Sequence, residues 1–196
     1  MDASQVLKQY FGYDSFRKGQ SDIIEAILQG QDALAIMPTG AGKSVCYQVP
    51  AMLLSGITIV ISPLISLMQD QVKSLNEAGI NAAYINSTLS EQQMYKALDY
   101  AAQGKYKIIY VAPERLETMS FMTFAQKADI SMVTIDEAHC ISQWGQDFRP
   151  SYLKIVDFID SLPERPVVSA FTATATSEVK TDIECILKLK SPKLVV

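Results

Sequence analysis

The sequence contains little cysteine, with three residues among 196: Cys46, Cys140 and Cys185. They are widely spaced and odd in number, and no Cys-x-x-Cys pair occurs. Neither a disulfide framework nor a zinc knuckle is therefore suggested. A chain of this length can bury a full-sized core without such cross-links. We therefore expect a reducing, cytoplasmic location.

An excess of positive charge is also missing. The 17 lysine and arginine residues stand against 21 aspartate and glutamate residues, which gives a net charge of −4. This balance argues mildly against a dedicated binder of nucleic acid or of anionic membranes. The first residues, MDASQVLKQYFGY, lack the basic start and the apolar stretch of a signal peptide.

Long hydrophobic runs are nearly absent, and the one charge-free stretch long enough to span a membrane covers residues 44–68. Pro50, Gly56 and Pro63 divide this stretch into pieces of helix, strand and helix length. Strands of a parallel sheet are buried on both faces and are therefore continuously apolar. The stretch predicts a buried strand between two helices, and we expect no membrane association.

Short apolar segments alternate with helix-like segments along the whole chain. The strand candidates lie at residues 32–37, 57–62, 82–86, 107–111, 131–136 and 167–172, and the final SPKLVV is again strand-like. The helical candidates lie at residues 44–54, 64–77, 90–103, 149–161 and 176–187. The alternation predicts an α/β fold in one domain, with a mostly parallel central sheet flanked by helices on both faces. Ligands of such sheets bind at the carboxyl ends of the strands.

DALAIMPTGAGKS joins an apolar strand to a helix through a glycine-bearing loop. In a P-loop, backbone N–H groups and the helix N-terminus hold phosphate oxygens. Gly40 and Gly42 allow the tight backbone, Lys43 supplies the charge, and the Ser44 hydroxyl is suited to Mg²⁺. The strict pattern begins with glycine, where this chain has Met37. The alternative is a glycine turn with a surface lysine, but the strand–loop–helix context favours a nucleotide site.

Two adjacent acids, Asp136 and Glu137, end the apolar strand SMVTI. An acid at a strand end across from a P-loop supports Mg²⁺, and a neighbouring residue orients the attacking water. We assign Asp136 to Mg²⁺ and Glu137 to the water. Alone, the pair would be an ordinary solvated one, and it becomes specific because the chain already has a P-loop.

The only histidine and the only tryptophan, His139 and Trp144, follow these acids within eight residues. His139 is a conceivable zinc ligand, but HExxH is absent and Cys140 has no partner at metal spacing. A histidine at the start of a helix, satisfied by a backbone group, is the alternative. The residues alone leave both interpretations open.

These motifs together resemble those of superfamily 2 helicases, with PTGAGKS as motif I and DEAH as motif II. FTATAT resembles motif III, VISPLISLMQDQV resembles motif Ia, and APERL resembles the DNA-contact motif that follows. More specifically, FGYDSFRKGQ is similar to motif 0 of RecQ-family DNA helicases, and CISQWGQDFRPSY to their aromatic-rich loop. The resemblance covers residues 6–187 and implies a P-loop NTPase domain of the RecA-like class.

The resemblance implies a role in ATP binding for motif 0 and the P-loop. Tyr13 would stack on adenine, and Arg17 and Gln20 would help recognise the base, since a glutamine amide pairs with the N6/N7 edge of adenine. The residues alone favour packing of Tyr13 against Phe11 or Phe16. The implied phosphate-binding residues are Thr39, Gly40, Ala41, Gly42, Lys43 and Ser44. The implied Mg²⁺ ligands are Ser44 and Asp136, and the implied catalytic residues are Lys43, Asp136, Glu137 and His139.

The resemblance also implies DNA contacts and a coupling route. His139 would link the hydrolysis site to motif III, which contains Thr172 and Thr174. The residues expected at the backbone of single-stranded DNA are Ser62, Pro63, Asn86 and Arg115. The loop that senses DNA would use Trp144, Phe148 and Arg149, because aromatic faces stack on any base and arginine binds phosphate.

Two positions depart from the family pattern, in which histidine usually occupies the position of Gln146 and proline often occupies that of Lys18. The first departure bears on coupling within the loop, and the second has little expected effect. Relatives of this type carry a second RecA-like domain with an arginine finger, and a zinc subdomain. Neither pattern occurs in this sequence. We interpret residues 1–196 as one N-terminal RecA-like domain, with residues 1–30 as a helical lead-in.

The resemblance implies the first motor domain of an ATP-dependent 3′-to-5′ DNA helicase of DNA repair and recombination. Its expected partners are single-stranded or duplex DNA and a second RecA-like domain of the same polypeptide, with ATP and Mg²⁺ as cofactors. We expect a monomer that, alone, binds nucleotide weakly, hydrolyses it slowly and unwinds nothing. The alternatives are a DEAD/DEAH-box RNA helicase domain and a nucleotide-switched binding module.

Overall fold

A computed structural model describes all residues, 1–196. The predicted sheet is present with seven strands in the order β3-β4-β2-β5-β6-β1-β7, and every neighbouring pair is parallel. This confirms the predicted α/β class and the mostly parallel sheet. The strands are β1 Ala33–Ile36, β2 Ile57–Ile61, β3 Ala82–Ile85, β4 Ile108–Val111, β5 Ile130–Ile135, β6 Val167–Thr172 and β7 Lys193–Val195.

Eight α-helices accompany the sheet: α1 Ala3–Val6, α2 Gln20–Leu28, α3 Lys43–Leu53, α4 Ile65–Glu77, α5 Glu91–Ala102, α6 Met119–Lys127, α7 Ile155–Ser161 and α8 Ser177–Ile186. Helix α6 was not predicted. It is only nine residues long and has no side-chain cap at its first turn. The helix predicted at residues 149–161 is divided into a 3₁₀ turn, Pro150–Lys154, and α7. Pro150 begins this turn, where its missing N–H costs no hydrogen bond.

Apolar side chains fill both sides of the sheet. Along β1, Leu34 joins one buried cluster while its neighbours Ala33 and Ala35 join the other, because successive strand side chains point to opposite faces. Helices α2, α3 and α4 contribute to the cluster that contains Ala33, and helices α5, α6, α7 and α8 contribute to the cluster that contains Leu34. The helices therefore cover both faces, as predicted.

The charge-free stretch at residues 44–68 forms most of α3, then β2, then the beginning of α4. Strand β2 is buried at all five positions, as expected of an inner parallel strand. None of the helices has the length and apolar character that crossing a membrane requires.

The N-terminal segment packs beside the P-loop helix. Helix α1 continues into a π-helical turn, Leu7–Phe11, which ends at Gly12 with φ of +76°. Val6 and Leu7 are buried in a small cluster against α2 and α3. This packing holds the loop that precedes α2 next to the first turn of α3, and so brings motif 0 to the P-loop.

An ion pair fastens the opposite, amino end of the sheet. Asp32 is buried and accepts hydrogen bonds from two guanidinium nitrogens of Arg165, at 3.0 and 2.6 Å. The same carboxylate accepts from the backbone N–H groups of Val168 and Lys190, at 3.0 and 2.8 Å. One side chain thus joins the starts of β1 and β6 to the segment before β7.

Candidate active site

Three neighbouring strand ends build the site. Strands β5, β6 and β1 are adjacent in the sheet, so their parallel carboxyl ends meet at one edge. Strand β1 leads into the P-loop, β6 ends at Thr172, and β5 leads into Asp136. Sequence-distant motifs are brought together because all three strands run in the same direction.

The P-loop turns sharply at its two glycines, with φ of +88° at Gly40 and +77° at Gly42. A Cβ atom on Gly42 would lie 2.3 Å from Nε2 of Gln20, so a larger residue would displace this amide and would also be strained at the positive φ. Helix α3 begins directly afterwards at Lys43. The first N–H groups of α3 have no partners within the helix and point outward, the arrangement that binds phosphate.

Motif 0 contacts the backbone of the P-loop. The buried Gln20 donates from Nε2 to the carbonyl of Gly42 at 3.0 Å, and its Oε1 accepts from the backbone N–H of Arg17 at 2.7 Å. The Arg17 guanidinium donates to the carbonyl of Gly40. Both residues predicted to recognise adenine thus support the phosphate loop in this structure, and pairing of the Gln20 amide with a base would exchange these hydrogen bonds.

Tyr13 exposes half of its surface, 51%, and belongs to none of the buried clusters. Its backbone N–H bonds to the carbonyl of Leu7, which places it just beyond the π-helical turn. The side chain is therefore available for stacking, and the packing alternative is not what the structure shows. Thr39 is exposed at the top of the P-loop.

The two acids stand in different backbone environments. Burial, and then the neighbouring Glu137 carboxylate, raise the pKa of Asp136 to about 6, against smaller lowering effects of the Glu137 N–H and of Lys43. Glu137 adopts the left-handed conformation, with φ of 51°, which is strained for a non-glycine residue and frequent at functional sites. Tyr152, fully buried, donates from its hydroxyl to the Asp136 carbonyl at 2.8 Å and supports this turn.

Ser44 and Asp136 suit Mg²⁺, because a hydroxyl and a carboxylate are the hard oxygen donors that this ion prefers. Burial first, and the charge of Glu137 second, raise the pKa of Asp136, and Lys43 lowers it only in part, so the carboxylate would gain from a further cation. A divalent cation carried in with phosphate oxygens would complete that neutralisation. The donor set therefore fits the predicted metal.

His139 is held between motif II and motif III. Its Nδ1 lies 2.8 Å from Oγ1 of Thr172 and 3.5 Å from Oε2 of Glu137. The Thr172 hydroxyl donates to the carbonyl of Thr174 at 3.2 Å, so its oxygen is left to accept from Nδ1–H of His139. This arrangement assigns the proton to Nδ1, and it connects Glu137 to the end of β6.

The interpretation of His139 as a zinc ligand has some geometric support. Single ligand atoms of His139, Cys140 and Asp147 lie within 4.8 Å of one another. However, burial raises the pKa of the Cys140 thiol to about 12, and Arg149 pairs with the Asp147 carboxylate at 3.3 Å. The Asp147 carboxylate is thus already paired with a cation, and only three donors are present where a structural zinc site uses four. Cys140 and Asp147 instead contact each other across the following loop, with Sγ 3.8 Å from Oδ2.

The aromatic-rich loop, residues 140–152, begins directly after this histidine. A Cβ atom on Gly145 would lie 2.8 Å from the carbonyl oxygen of His139, so the glycine permits the contact. The buried Ser142 donates to Asp182 of α8 at 2.6 Å and accepts from the Trp144 N–H at 3.1 Å. Trp144 itself exposes 75% of its surface. Phe148 and Arg149 are half-buried beside it.

The residues predicted to touch DNA follow β2, β3 and β4, on the other half of the same edge. Ser62 and Asn86 are buried, and Asn86 accepts from the Thr88 N–H at 2.9 Å through its side chain. Pro63 and Arg115 are half-buried. These side chains share one edge, but two of them do not reach the surface.

Three contacting residues were missed by sequence reasoning: Gln71, Tyr152 and Asp182. Gln71 donates to the Ser44 hydroxyl at 3.3 Å from the middle of α4. A signal did exist, because Gln71 lies on α4 beside the buried Met68, Val72 and Leu75 and is thus polar on an apolar stripe. Nothing local marks Tyr152 or Asp182, whose partners lie 16 and 40 residues away.

Comparison with known proteins adds a family and several relatives. A family model described as DEAD/DEAH box helicase matches residues 17–182. The ATP-dependent DNA helicase RecQ of Bacillus subtilis is 55% identical over 182 residues, which is 92% of this chain and 31% of that protein. The RecQ protein of Haemophilus influenzae is 48% identical over 96% of this chain and 30% of its own length. The chain spans about a third of the length of these relatives.

Solved structures share the fold at low identity. The DUF1998 helicase MrfA bound to DNA superposes over 100% of this chain and 29% of its own, with a TM-score of 0.78 and 16% identity. The Hef helicase domain of Pyrococcus furiosus superposes over 91% of this chain and 38% of its own, with a TM-score of 0.69 and 20% identity. At this identity the likeness concerns the fold alone.

Proposed function

The chain belongs to the DEAD/DEAH box helicase family, and on this premise we propose that it is the ATP-binding motor domain of a RecQ-type DNA helicase. The observation that carries the proposal is the chain of contacts from Glu137 through His139 to the exposed Trp144 loop. It joins a hydrolysis site to a surface suited to unpaired bases. Identity of 55% to a RecQ protein supports the DNA specificity.

In this proposal the P-loop binds the phosphates of ATP. Lys43 and the first N–H groups of α3 supply positive charge, and Ser44 and Asp136 hold Mg²⁺. When bound, Mg²⁺ would neutralise charge on the phosphate oxygens. Tyr13 covers the adenine, while Arg17 and Gln20 support the loop or turn to the base.

Glu137 orients and deprotonates the attacking water. Its side chain lies 3.5 Å from the His139 ring nitrogen, so a change at the phosphate is transmitted to His139 directly. His139 then acts on Thr172 through its Nδ1–H and on the aromatic-rich loop through its own carbonyl, which Gly145 approaches closely. DNA bound at Trp144 would act along the same contacts in the opposite direction, because coupling between two sites is reciprocal.

A second RecA-like domain of the same polypeptide would complete the site, since family motors place ATP between two such domains. An arginine finger contributes about 10³–10⁵ in rate, so this chain alone should hydrolyse ATP slowly and should not unwind duplex. The family implies 3′-to-5′ movement along single-stranded DNA, and a cytoplasmic location remains our proposal.

The test compares nucleic acids as activators. We expect the chain to bind ATP in the presence of Mg²⁺, and the polypeptide that joins it to a second RecA-like domain to hydrolyse ATP faster with single-stranded DNA. An RNA of the same sequence is the matched control. Equal or greater stimulation by RNA would favour an RNA helicase, and ATP binding without stimulated hydrolysis would favour a nucleotide-switched binding module.

A further inference from the structure

A buried polar network joins the P-loop helix α3 to strand β4, in a layer that is otherwise apolar. The Tyr47 and Tyr110 hydroxyls lie 2.8 Å apart, and Gln48 donates to the Tyr110 hydroxyl at 3.0 Å. All three side chains are buried, with 1–3% of their surfaces exposed. Buried polar groups of this kind are costly unless each is bonded, so the network fixes its members in one arrangement.

Gln71 of α4 connects this network to the candidate metal site. Its Oε1 accepts from Nε2 of Gln48 at 2.9 Å, which orients the amide, and its Nε2 then points to Oγ of Ser44 at 3.3 Å. Because Gln48 also donates from Nε2 to the Tyr110 hydroxyl, this nitrogen faces Gln71, and reversing the Gln71 amide alone would place two NH₂ groups against each other. Gln71 therefore presents a donor, and not an acceptor, to the hydroxyl of Ser44.

A serine oxygen has two lone pairs and one proton. Donation from Gln71 takes one lone pair, which leaves the second lone pair for a cation and turns the O–H group elsewhere. A donor in this place therefore sets the rotation of the hydroxyl before any metal binds. Preorganisation of this kind strengthens ligand binding because the ordering cost has been met in the free protein.

Helix α4 also follows the carboxyl end of β2, and motif Ia spans this junction. The helix begins one residue after Leu64, whose N–H donates to the Ser62 hydroxyl at 3.4 Å. Ser62 follows β2, on the half of the edge predicted to bind DNA. Gln71 is seven residues beyond Leu64, or about 10 Å along a rigid helix. A shift of α4 caused by DNA would thus move the donor of Ser44.

We propose that Gln71 is a positioning residue: its amide orients the hydroxyl of the magnesium ligand Ser44 and links that hydroxyl to α4, the helix that begins within motif Ia. This inference rests on the proposed function, because it assumes that Ser44 is a metal ligand. It supplies a connection between the two halves of the edge, whereas the contacts through His139 lie within the half formed by β5, β6 and β1.

The test uses Gln71→Met, which preserves length and removes both polar atoms, and Gln71→Glu, which retains the acceptor for Gln48 but cannot donate to Ser44. Gln69→Met, two residues earlier on the same helix, is the matched control. Binding of a fluorescent ATP analogue is measured over a range of Mg²⁺ concentrations. Loss of one hydrogen bond should raise the half-saturating Mg²⁺ concentration about 3- to 10-fold in both Gln71 variants, with binding in EDTA unchanged.

Hydrogen–deuterium exchange of α4 in the unaltered chain provides a second readout that does not depend on the folding of any variant. Addition of ATP analogue and Mg²⁺ should slow exchange in α4, whereas the analogue in EDTA should not. The inference would be overturned if the half-saturating Mg²⁺ concentration were the same in the Gln71 variants, the control and the unaltered chain. It would also be overturned if ATP analogue and Mg²⁺ did not slow exchange in α4. Failure of the unaltered chain to bind nucleotide at all would instead refute the proposed function.

Discussion

The carboxyl edge of the sheet has two halves that differ in how ready they are for a ligand. At the ends of β5, β6 and β1, the glycine-rich loop is open, Tyr13 and Trp144 are exposed, and Glu137 is held in a strained turn. At the ends of β2 and β3, the predicted contact residues Ser62 and Asn86 are buried. The first half therefore presents side chains that a ligand can reach. In the second half, the predicted contact residues Ser62 and Asn86 are buried as core residues are.

The difference follows from what each half would recognise. A triphosphate is a compact anion, and a P-loop binds it with backbone N–H groups that the fold fixes in place. A DNA backbone is an extended chain of phosphates, and main-chain groups or nearby cations can hold it while buried side chains shape the loops that present them. On the half predicted to bind DNA, Ser62 and Asn86 thus shape loops, while the exposed aromatic side chain of Trp144 stands on the nucleotide half.

The largest effect should come from Glu137→Gln. The change removes the base that activates water and keeps the size of the side chain, so we expect ATP hydrolysis to fall about 10²- to 10⁴-fold, with ATP binding changed little. Steady-state hydrolysis and binding of a fluorescent analogue measure the two quantities. Glu25→Gln on α2, an exposed acid outside the site, is the control. Unaltered hydrolysis in Glu137→Gln would show that the water is activated elsewhere.

Trp144→Ala should rank second, because stacking of a base on an aromatic ring contributes about 1–3 kcal/mol. The expected result is a roughly 10-fold or greater rise in the DNA concentration that half-maximally stimulates hydrolysis, with ATP affinity kept. A titration with single-stranded DNA checks it. Tyr95, an exposed aromatic residue of α5, provides the comparison variant Tyr95→Ala. Equal titration curves for the two variants would remove the loop from DNA sensing.

Asn86→Ala distinguishes a loop-shaping residue from a direct contact. Its Oδ1 accepts the Thr88 N–H at 2.9 Å within a buried site, so removal should lower the free energy of unfolding by about 1–3 kcal/mol. Urea denaturation measures this, with the exposed Asn81→Ala as control. If stability is unchanged and only DNA affinity falls, Asn86 is a direct contact and the two halves are more alike than the structure indicates.

Much of this could be predicted from the sequence, for physical reasons that differ by element. Inner parallel strands are continuously apolar, so β2 was predicted to within one residue. The P-loop was recognisable because Gly40 and Gly42 meet a steric need at fixed spacing. Helix α6 gave no such signal, since its nine residues have no capping side chain.

The contacts between motifs could not be predicted in the same way. That Gln20 bonds to the P-loop, that Gln71 bonds to Ser44, and that Asn86 is buried all depend on how distant elements pack. Family resemblance indicates which residues matter at the nucleotide. It does not indicate which of them reach the surface, because exposure is a property of the assembled fold.

The smallest predicted effect concerns the free energy of unfolding, which the buried charge of Asp136 should lower. Burial, and then Glu137, raise the pKa of Asp136 from 3.8 to about 6 in the folded chain. The unfolded chain therefore releases this proton at lower pH, and the contribution of Asp136 to stability becomes more unfavourable as pH rises between about 4 and about 6. Above pH 6 the full cost is present, and below pH 4 it is absent.

Asp136→Asn removes this charge while keeping an acceptor for the Glu137 N–H, now 2.9 Å away. In EDTA, we expect the free energy of unfolding to rise by about 1–2 kcal/mol above pH 6 and to match the unaltered chain near pH 4. Urea denaturation at both pH values measures the difference, and Mg²⁺-dependent nucleotide binding should be lost in the same variant. A variant no more stable than the unaltered chain at pH 7.5 would contradict the cost. A higher free energy of unfolding in Asp136→Asn would show that the charge of this candidate cation ligand destabilises the folded chain. Asn86, on the other half of the edge, is expected to stabilise it.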